Sequence, residues 1–289
     1  MITNATKAMV PAMKEMWAVN FGDSDEYISF FFENHLKLDE KGMYQNQFVY
    51  QLNGQPVSML SVLEAQLDNG QHKQEFWYIY AVVTAKEHRR KGYAGKVLLH
   101  VIELAKKKEI AVGLVPADEG LYRYYGKFGF ESFFYNRTVK MNLLAGDGLA
   151  DGWKLATAEQ YKMMRDQFLA NQGAVIWEKQ AVEYAIKENE NLGGKTYYLE
   201  NTSYFLMVCP LEGKLIVRET NLPWDVLKNV CDSLAERFQC NTAFAVAPVG
   251  TWSQGAVVKH GMICNLGKSF SSLAGQSHVT EFYLGLALD

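Results

Sequence analysis

The sequence predicts an α/β (α+β) fold made of two tandem units, each a twisted sheet flanked by helices. Three observations carry that prediction. One order of elements (helices, hairpin, strand, helix, strand) occurs in both halves. A stretch rich in Gly and Asp, Leu144 to Gly152, separates the halves. In each half an amphipathic helix follows a strand rich in β-branched or aromatic residues. The 289 residues suit two ordinary domains, placed at 1–143 and 151–289.

The elements follow in order. Met13, Trp17 and Phe21 have helical spacing. Asp23-Ser-Asp-Glu supplies an N-cap and an acidic first turn for a second helix over Asp25 to Leu36. Gln47 to Leu52, Asn53-Gly54 and Gln55 to Val62 read as strand, type I′ turn and strand, because Asn-Gly tolerates the positive φ that this turn requires. Glu75 to Thr84 is aromatic and β-branched, hence a buried strand. A helix to about Lys108 then carries Ala94, Val97, Leu98, Val101, Ile102 and Ala105 on one face. Ile110 to Val115 is a short strand, Leu121 to Phe128 a short helix, and Phe130 to Met141 a closing strand. The second half gives helices near Ala158 to Ala170 and Glu178 to Glu188, then a hairpin over Thr196 to Val208. Strand Lys214 to Thr220, helix Trp224 to Phe238 and strand Thr242 to Ala247 complete it.

Composition excludes several classes. With 48% hydrophobic and 21% charged residues the chain is neither disordered nor fibrous. Lys+Arg 29 against Asp+Glu 32 gives no general attraction to nucleic acid. No apolar run approaches the roughly 18–20 residues of a membrane span. Lys14 and Glu15 interrupt the place where a secretory signal needs an apolar core. The expectation is a soluble, cytoplasmic protein. Cys209, Cys231, Cys240 and Cys264 form no CxxC pair, and the six histidines form no HExxH, so no metal is expected.

The chemistry concentrates between the Trp77–Thr84 strand and the helix after it, at Arg89-Arg-Lys-Gly-Tyr-Ala94. A strand turning tightly into a helix leaves backbone N–H groups pointing outward at the positive end of the helix dipole, which makes an anion site. Gly92 lets backbone approach a phosphate, and Ala94 keeps the first turn thin. Arg89, Arg90 and Lys91 add charge; five of the eleven residues from Lys86 to Lys96 are basic and one, Glu87, is acidic. The ligand this predicts is a diphosphate.

The same residues resemble the GCN5-related N-acetyltransferase (GNAT) superfamily. Arg89-x-x-Gly92-x-Ala94 fits that family's [Gln/Arg]-x-x-Gly-x-[Gly/Ala] acyl-CoA loop. Thr84-Ala-Lys-Glu-His-Arg89 is similar to its Thr-x-Pro-x-Tyr-Arg lead-in, with Lys86 where proline is common. Tyr125-Gly-Lys-Phe-Gly-Phe130 is similar to the family's Tyr-x-x-x-Gly-Phe. The resemblance covers about residues 2 to 141. It implies a mixed, mostly antiparallel sheet in each unit and acetyl-CoA as co-substrate. Val82, Val83 and Thr84 would bind the pantetheine arm from a strand that splays from its neighbour. Arg89, Arg90, Lys91, Gly92, Tyr93, Ala94 and Gly95 would hold the pyrophosphate, with the backbone amides of Arg90 to Gly95 as donors. Tyr125 would protonate the departing CoA thiolate, with Tyr124 as the alternative acid. The implied acceptor is a primary amine of a small molecule or peptide. No single general base is identified: Glu75, Asp118 and Glu119 are candidates, beside a water chain or an amine that arrives partly deprotonated.

The second half has Thr220-Asn-Leu-Pro-Trp224 at the corresponding place, without the basic residue or the glycine. It therefore reads as a degenerate GNAT-like unit that covers the acceptor site and binds no CoA. The two-unit organisation resembles the Eis-type acetyltransferases without their third domain. Two other readings compete: a non-catalytic acyl-CoA sensor or scaffold, and a Fem-like aminoacyl transferase. Exposed edge strands would allow a homo-oligomer.

Overall fold

The computed structural model describes residues 1–144, 146, 148–170, 172–265, 267 and 281–286; Ala145 and Asp147 of the Gly/Asp-rich stretch lie outside them. Among the described residues the chain divides into two compact units. One takes 1–65, 74–131, 262–265 and 267; the other takes 66–73, 132–261 and 281–286. The architecture is mixed α/β, with mostly antiparallel sheets flanked by helices.

The first unit opens with β1 (Ile2–Thr6), α1 (Val10–Phe21) and α2 (Asp25–Asn34). Pro11 sits in the first turn of α1, and Gly22 closes that helix at φ 77°. Ser24 caps α2 by accepting from Tyr27 N, as its place before two acids predicts. Strands β2 (Met43–Leu52), β3 (Gln55–Asp68) and β4 (Lys73–Thr84) follow, then α3 (Tyr93–Lys107), β5 (Ala111–Leu114) and α4 (Glu119–Gly126). The strand order is β1-β2-β3-β4-β5, with β4 and β5 parallel across the α3 crossover. Trp77 and Ile79 of β4 pack with Val97, Leu98, Val101 and Ile102 of α3. Alternation turns Tyr80 to the opposite face, where its ring meets Trp17 and Phe31.

The second unit contains β6 (Glu131–Asn142), β7 (Trp153–Leu155), α5 (Ala158–Leu169), β8 (Ala174–Trp177) and α6 (Lys179–Asn191). It continues with β9 (Lys195–Leu199), β10 (Phe205–Leu211), β11 (Lys214–Thr220), α7 (Trp224–Phe238) and β12 (Thr242–Ala247). Its strand order is β6-β12-β11-β10-β9-β7, and β11 and β12 are parallel across α7. A strand, a crossover helix and a parallel strand thus occur in both units. Inside this unit Arg165 and Glu219 form a fully buried ion pair, with Nε to Oε2 2.8 Å, and Tyr161 donates to the same carboxylate. Gly285 lies against this pair, and Phe282 and Tyr283 bridge to Phe134 and Ala174.

The last strand, β13 (Ala256–Cys264), begins in the second unit, but its residues Met262, Ile263 and Cys264 pair antiparallel with Leu114, Gly113 and Val112 of β5. Asn265 then donates its amide to Ile110 O. The first unit therefore takes one edge of its sheet from the far end of the chain.

Candidate active site

The site is built where β4 meets α3. The β4–β5 ladder runs Phe76–Ala111, Trp77–Val112 and Tyr78–Gly113, and the register ends there, although β4 continues to Thr84. Gly113 is required at that point: a Cβ would stand 2.5 Å from Phe76 Cζ. Ala81 has φ 50°, a left-handed residue inside a strand, which costs about 1–2 kcal/mol and kinks β4 just before the loop. Val82 and Thr84 are half-buried; Val83 is buried, and its carbonyl accepts from Ser58 Oγ at 2.9 Å. Ser58 Oγ also lies 2.9 Å from Thr84 Oγ1. The strand end is thus held from the β3 side.

A 3₁₀ turn over Lys86–His88 leads into the loop. Arg90 (φ 63°) and Gly92 (φ 76°) are both left-handed, the alternation that gathers successive N–H groups into an anion-binding concavity. Lys96 N makes the first helical bond, 3.1 Å to Gly92 O, so the amides of Tyr93, Ala94 and Gly95 precede it and have no i−4 carbonyl within the helix. Nothing within 4 Å meets a Cβ on Gly92; its backbone conformation is what favours glycine. Gly95 is different. A Cβ there would lie 2.9 Å from Phe128 Cζ and 3.4 Å from the Tyr124 hydroxyl, so this glycine seats the first turn of α3 against the residues that end α4.

The three basic side chains differ in use. Arg89 is bonded to Asn20 Oδ1 of α1, whereas Arg90 and Lys91 are exposed, with no ion pair among the described residues. Tyr93 stacks on Tyr50 at 4.3 Å, and Lys96 Nζ lies 5.6 Å from its ring centroid, which fixes the flank of the helix start. A cavity of about 280 Å³ lies between α1, the first residues of β3 and Ala85–His88.

Tyr125 sits on α4, 7% exposed, and packs in the same core as α3 with its ring edge on Phe130. Burial first, then the neighbouring Tyr124 and Asp118, push its hydroxyl up to about 12, so it is held protonated. Burial also raises Tyr124. Asp118, one candidate base, is the N-cap of α4 and accepts from Leu121 N at 3.0 Å. Glu75 and Glu119 are exposed. All four cysteines are free and buried; burial raises each thiol, Cys231 and Cys264 to about 12. Among the described residues no group of three or more His, Cys, Asp or Glu could hold a metal. No helix among them is long and apolar enough to cross a membrane.

The matching segment of the second unit is closed by its own contacts. Asn221 Oδ1 accepts from Phe205 N, Thr220 Oγ1 from Leu222 N, and Leu222 O from Trp252 Nε1. Pro223 begins α7 at φ −57°, and neither a left-handed residue nor a basic side chain is present from Thr220 to Trp224.

Residues 1–133 match the model of the acetyltransferase (GNAT) domain family. Residues 1–133 are therefore similar to a GNAT domain. The fold is similar to a GCN5-related N-acetyltransferase from Kribbella flavida, with 16% identity, TM-score 0.66, and 91% of this chain and 71% of that one covered. A second one, from Anabaena variabilis, is similar over 92% and 73% of the two chains, at 14% identity and TM-score 0.64. Eis1 from Mycobacterium abscessus is similar over 91% and 73%, at 10% identity and TM-score 0.62. No curated protein matches the sequence.

Several features of the first unit leave no local signal in the sequence. The kink at Ala81 carries no signal, since alanine is not a residue that announces positive φ. Tyr50 and Ser58 lie far from the motif in sequence and reach it only through sheet pairing. The packing role of Gly95 was legible only as a second glycine near the loop.

Proposed function

We propose that the protein transfers an acetyl group from acetyl-CoA to a primary amine of a small molecule or peptide, by direct attack within the GNAT domain of residues 1–143. The paired left-handed residues Arg90 and Gly92 at the start of α3 carry this reading, because they gather N–H groups at the positive end of a 15-residue helix. The amides from Arg90 to Gly95 bind the pyrophosphate, and Arg90 and Lys91 supply charge. Arg89 acts as a strut to α1 as much as a charge. Past Tyr78 the edge of β4 is free of β5, and the backbone of Val82, Val83 and Thr84 holds the pantetheine arm. An amide near Val82 polarises the thioester carbonyl.

The chemical step is one acyl transfer. The amine nitrogen forms the new C–N bond as the C–S bond breaks. The departing thiolate takes the proton of the Tyr125 hydroxyl, and the proton lost by the nitrogen restores the phenol through solvent. A phenol held at about 12 is a steady donor at neutral pH. The second unit, over 151–289, is a degenerate copy that binds no CoA, since the residues before α7 are consumed by their own hydrogen bonds.

Isothermal titration with acetyl-CoA tests the cofactor, and thiol release against a panel of amines tests turnover. Binding in the wild type and none in Gly92→Trp is the expected result. Wild-type protein that binds no acetyl-CoA refutes the proposal; binding without turnover on any amine supports the sensor instead.

A further inference from the structure

The hydroxyl of Tyr124 stands 3.4 Å from the point where a Cβ on Gly95 would lie, beside the first turn of α3. In a helix each Cβ tilts toward the N-terminus, so that point lies on the side of Gly95 facing the open amides of Tyr93 and Ala94. The ring is fixed on two edges, by Phe128 at 5.1 Å and by Tyr125 at 5.2 Å. The hydroxyl has no hydrogen-bond partner among the described residues, and the side chain is half-buried. Burial keeps the group protonated, hence a donor. Gly95 is thus the residue whose missing side chain lets this hydroxyl reach the helix start.

We infer that Tyr124 is a positioning residue for the acyl donor: its hydroxyl donates a hydrogen bond to a non-bridging oxygen of the cofactor diphosphate, beside the amides of Tyr93 to Gly95. The inference rests on the acetyl-CoA reading above and deepens it. The two adjacent tyrosines of α4 then divide the work. Tyr124 holds the diphosphate and Tyr125 serves the thiolate. The bond is one between a neutral donor and a charged acceptor, the stronger kind.

Tyr124→Phe removes the hydroxyl and keeps both ring contacts. Titration of acetyl-CoA into the wild type and this variant reads the binding, and thiol release at saturating acetyl-CoA reads kcat. The expected result is a Kd raised about 10- to 100-fold, the loss of one hydrogen bond to a charged group, with kcat within twofold. S-acetylpantetheine, which lacks the diphosphate, is the second probe. The preference of the wild type for acetyl-CoA over this donor, as kcat/KM, should shrink by the same factor. A variant whose kcat falls while Kd holds overturns the inference and makes Tyr124 the acid. A variant unchanged in both also overturns it. Wild-type protein that binds no acetyl-CoA overturns the acetyl-CoA reading and this inference together, so the two failures are distinguishable.

Discussion

Replacing Gly95 by alanine sets two effects against each other. Alanine relieves the backbone entropy of glycine in a helix, worth about 0.5–1 kcal/mol in favour of the variant. The new methyl lies 2.9 Å from Phe128 Cζ and 3.2 Å from Cε1, against an optimum near 3.5–4.0 Å, so it overlaps the ring by about 0.6–1 Å. Overpacking of that kind costs about 1–3 kcal/mol. Phe128 is only half-buried and can yield, which favours the lower end. The net expectation is a loss of no more than about 0.5 kcal/mol, a fall in Tm of about 0–2 °C. The functional effect exceeds the thermal one, because the ring that must move also carries the Tyr124 contact and the helix start that presents the amides. Acetyl-CoA binding should weaken about three- to tenfold, since catalytic and binding geometry tolerates displacements of only a fraction of an ångström. Differential scanning calorimetry and isothermal titration on the same preparation give both numbers. A Gly95→Ala protein that melts above the wild type and binds acetyl-CoA as tightly would refute the argument that this glycine exists to seat α3 on α4.

Tyr125→Phe should lower kcat about 100-fold while the Kd for acetyl-CoA stays within twofold, read by thiol release and titration. The hydroxyl is raised, so its proton is fully present below about pH 12 and lost only above it; an alkaline fall in kcat centred near pH 8 or 9 would point to another acid. In the second unit, Arg165→Met strands a buried carboxylate and should destabilise by about 3–5 kcal/mol in urea unfolding, whereas Arg165→Met with Glu219→Leu should recover most of that. His35 is buried, and burial lowers its folded pKa to about 4 from 6.5. The unfolded chain therefore takes up that proton first as pH falls, and stability should drop by about 1.4 kcal/mol per pH unit between roughly 6.5 and 4; a His35→Leu protein with the same slope there would remove this assignment.

Where the sequence was informative, the reason is local. Elements β11, α7 and β12 follow the pattern of apolar spacing to the residue, because each is long, periodic and bounded by Asn, Pro or Gly. The loop from Arg89 to Gly95 was legible because its residue types are those that such a backbone needs. Elements β1, β7 and β8 were not, being short segments whose strand character comes from the partners they meet. Strand β13 escaped for another cause: Lys259, His260 and Gly261 break its apolar run, and its inner end is apolar only because it enters a sheet formed 150 residues earlier. Among the site residues, the charge of Arg89 pointed to phosphate, yet the side chain is tied to Asn20, a pairing across 69 positions that no local pattern reveals.

The pairing of Met262, Ile263 and Cys264 with β5 bears on how the molecule is made. A nascent chain leaves the ribosome at about 5–20 residues per second. Once Glu131 has emerged, the first unit still waits roughly ten seconds for the strand that completes its sheet. During that interval β5 presents an open edge, a template for pairing with any extended chain nearby. A gene fragment stopped after residue 143 would leave that edge open permanently. Such a fragment is expected to aggregate however intact its Arg89–Gly95 loop, and truncation would then report on folding rather than on catalysis.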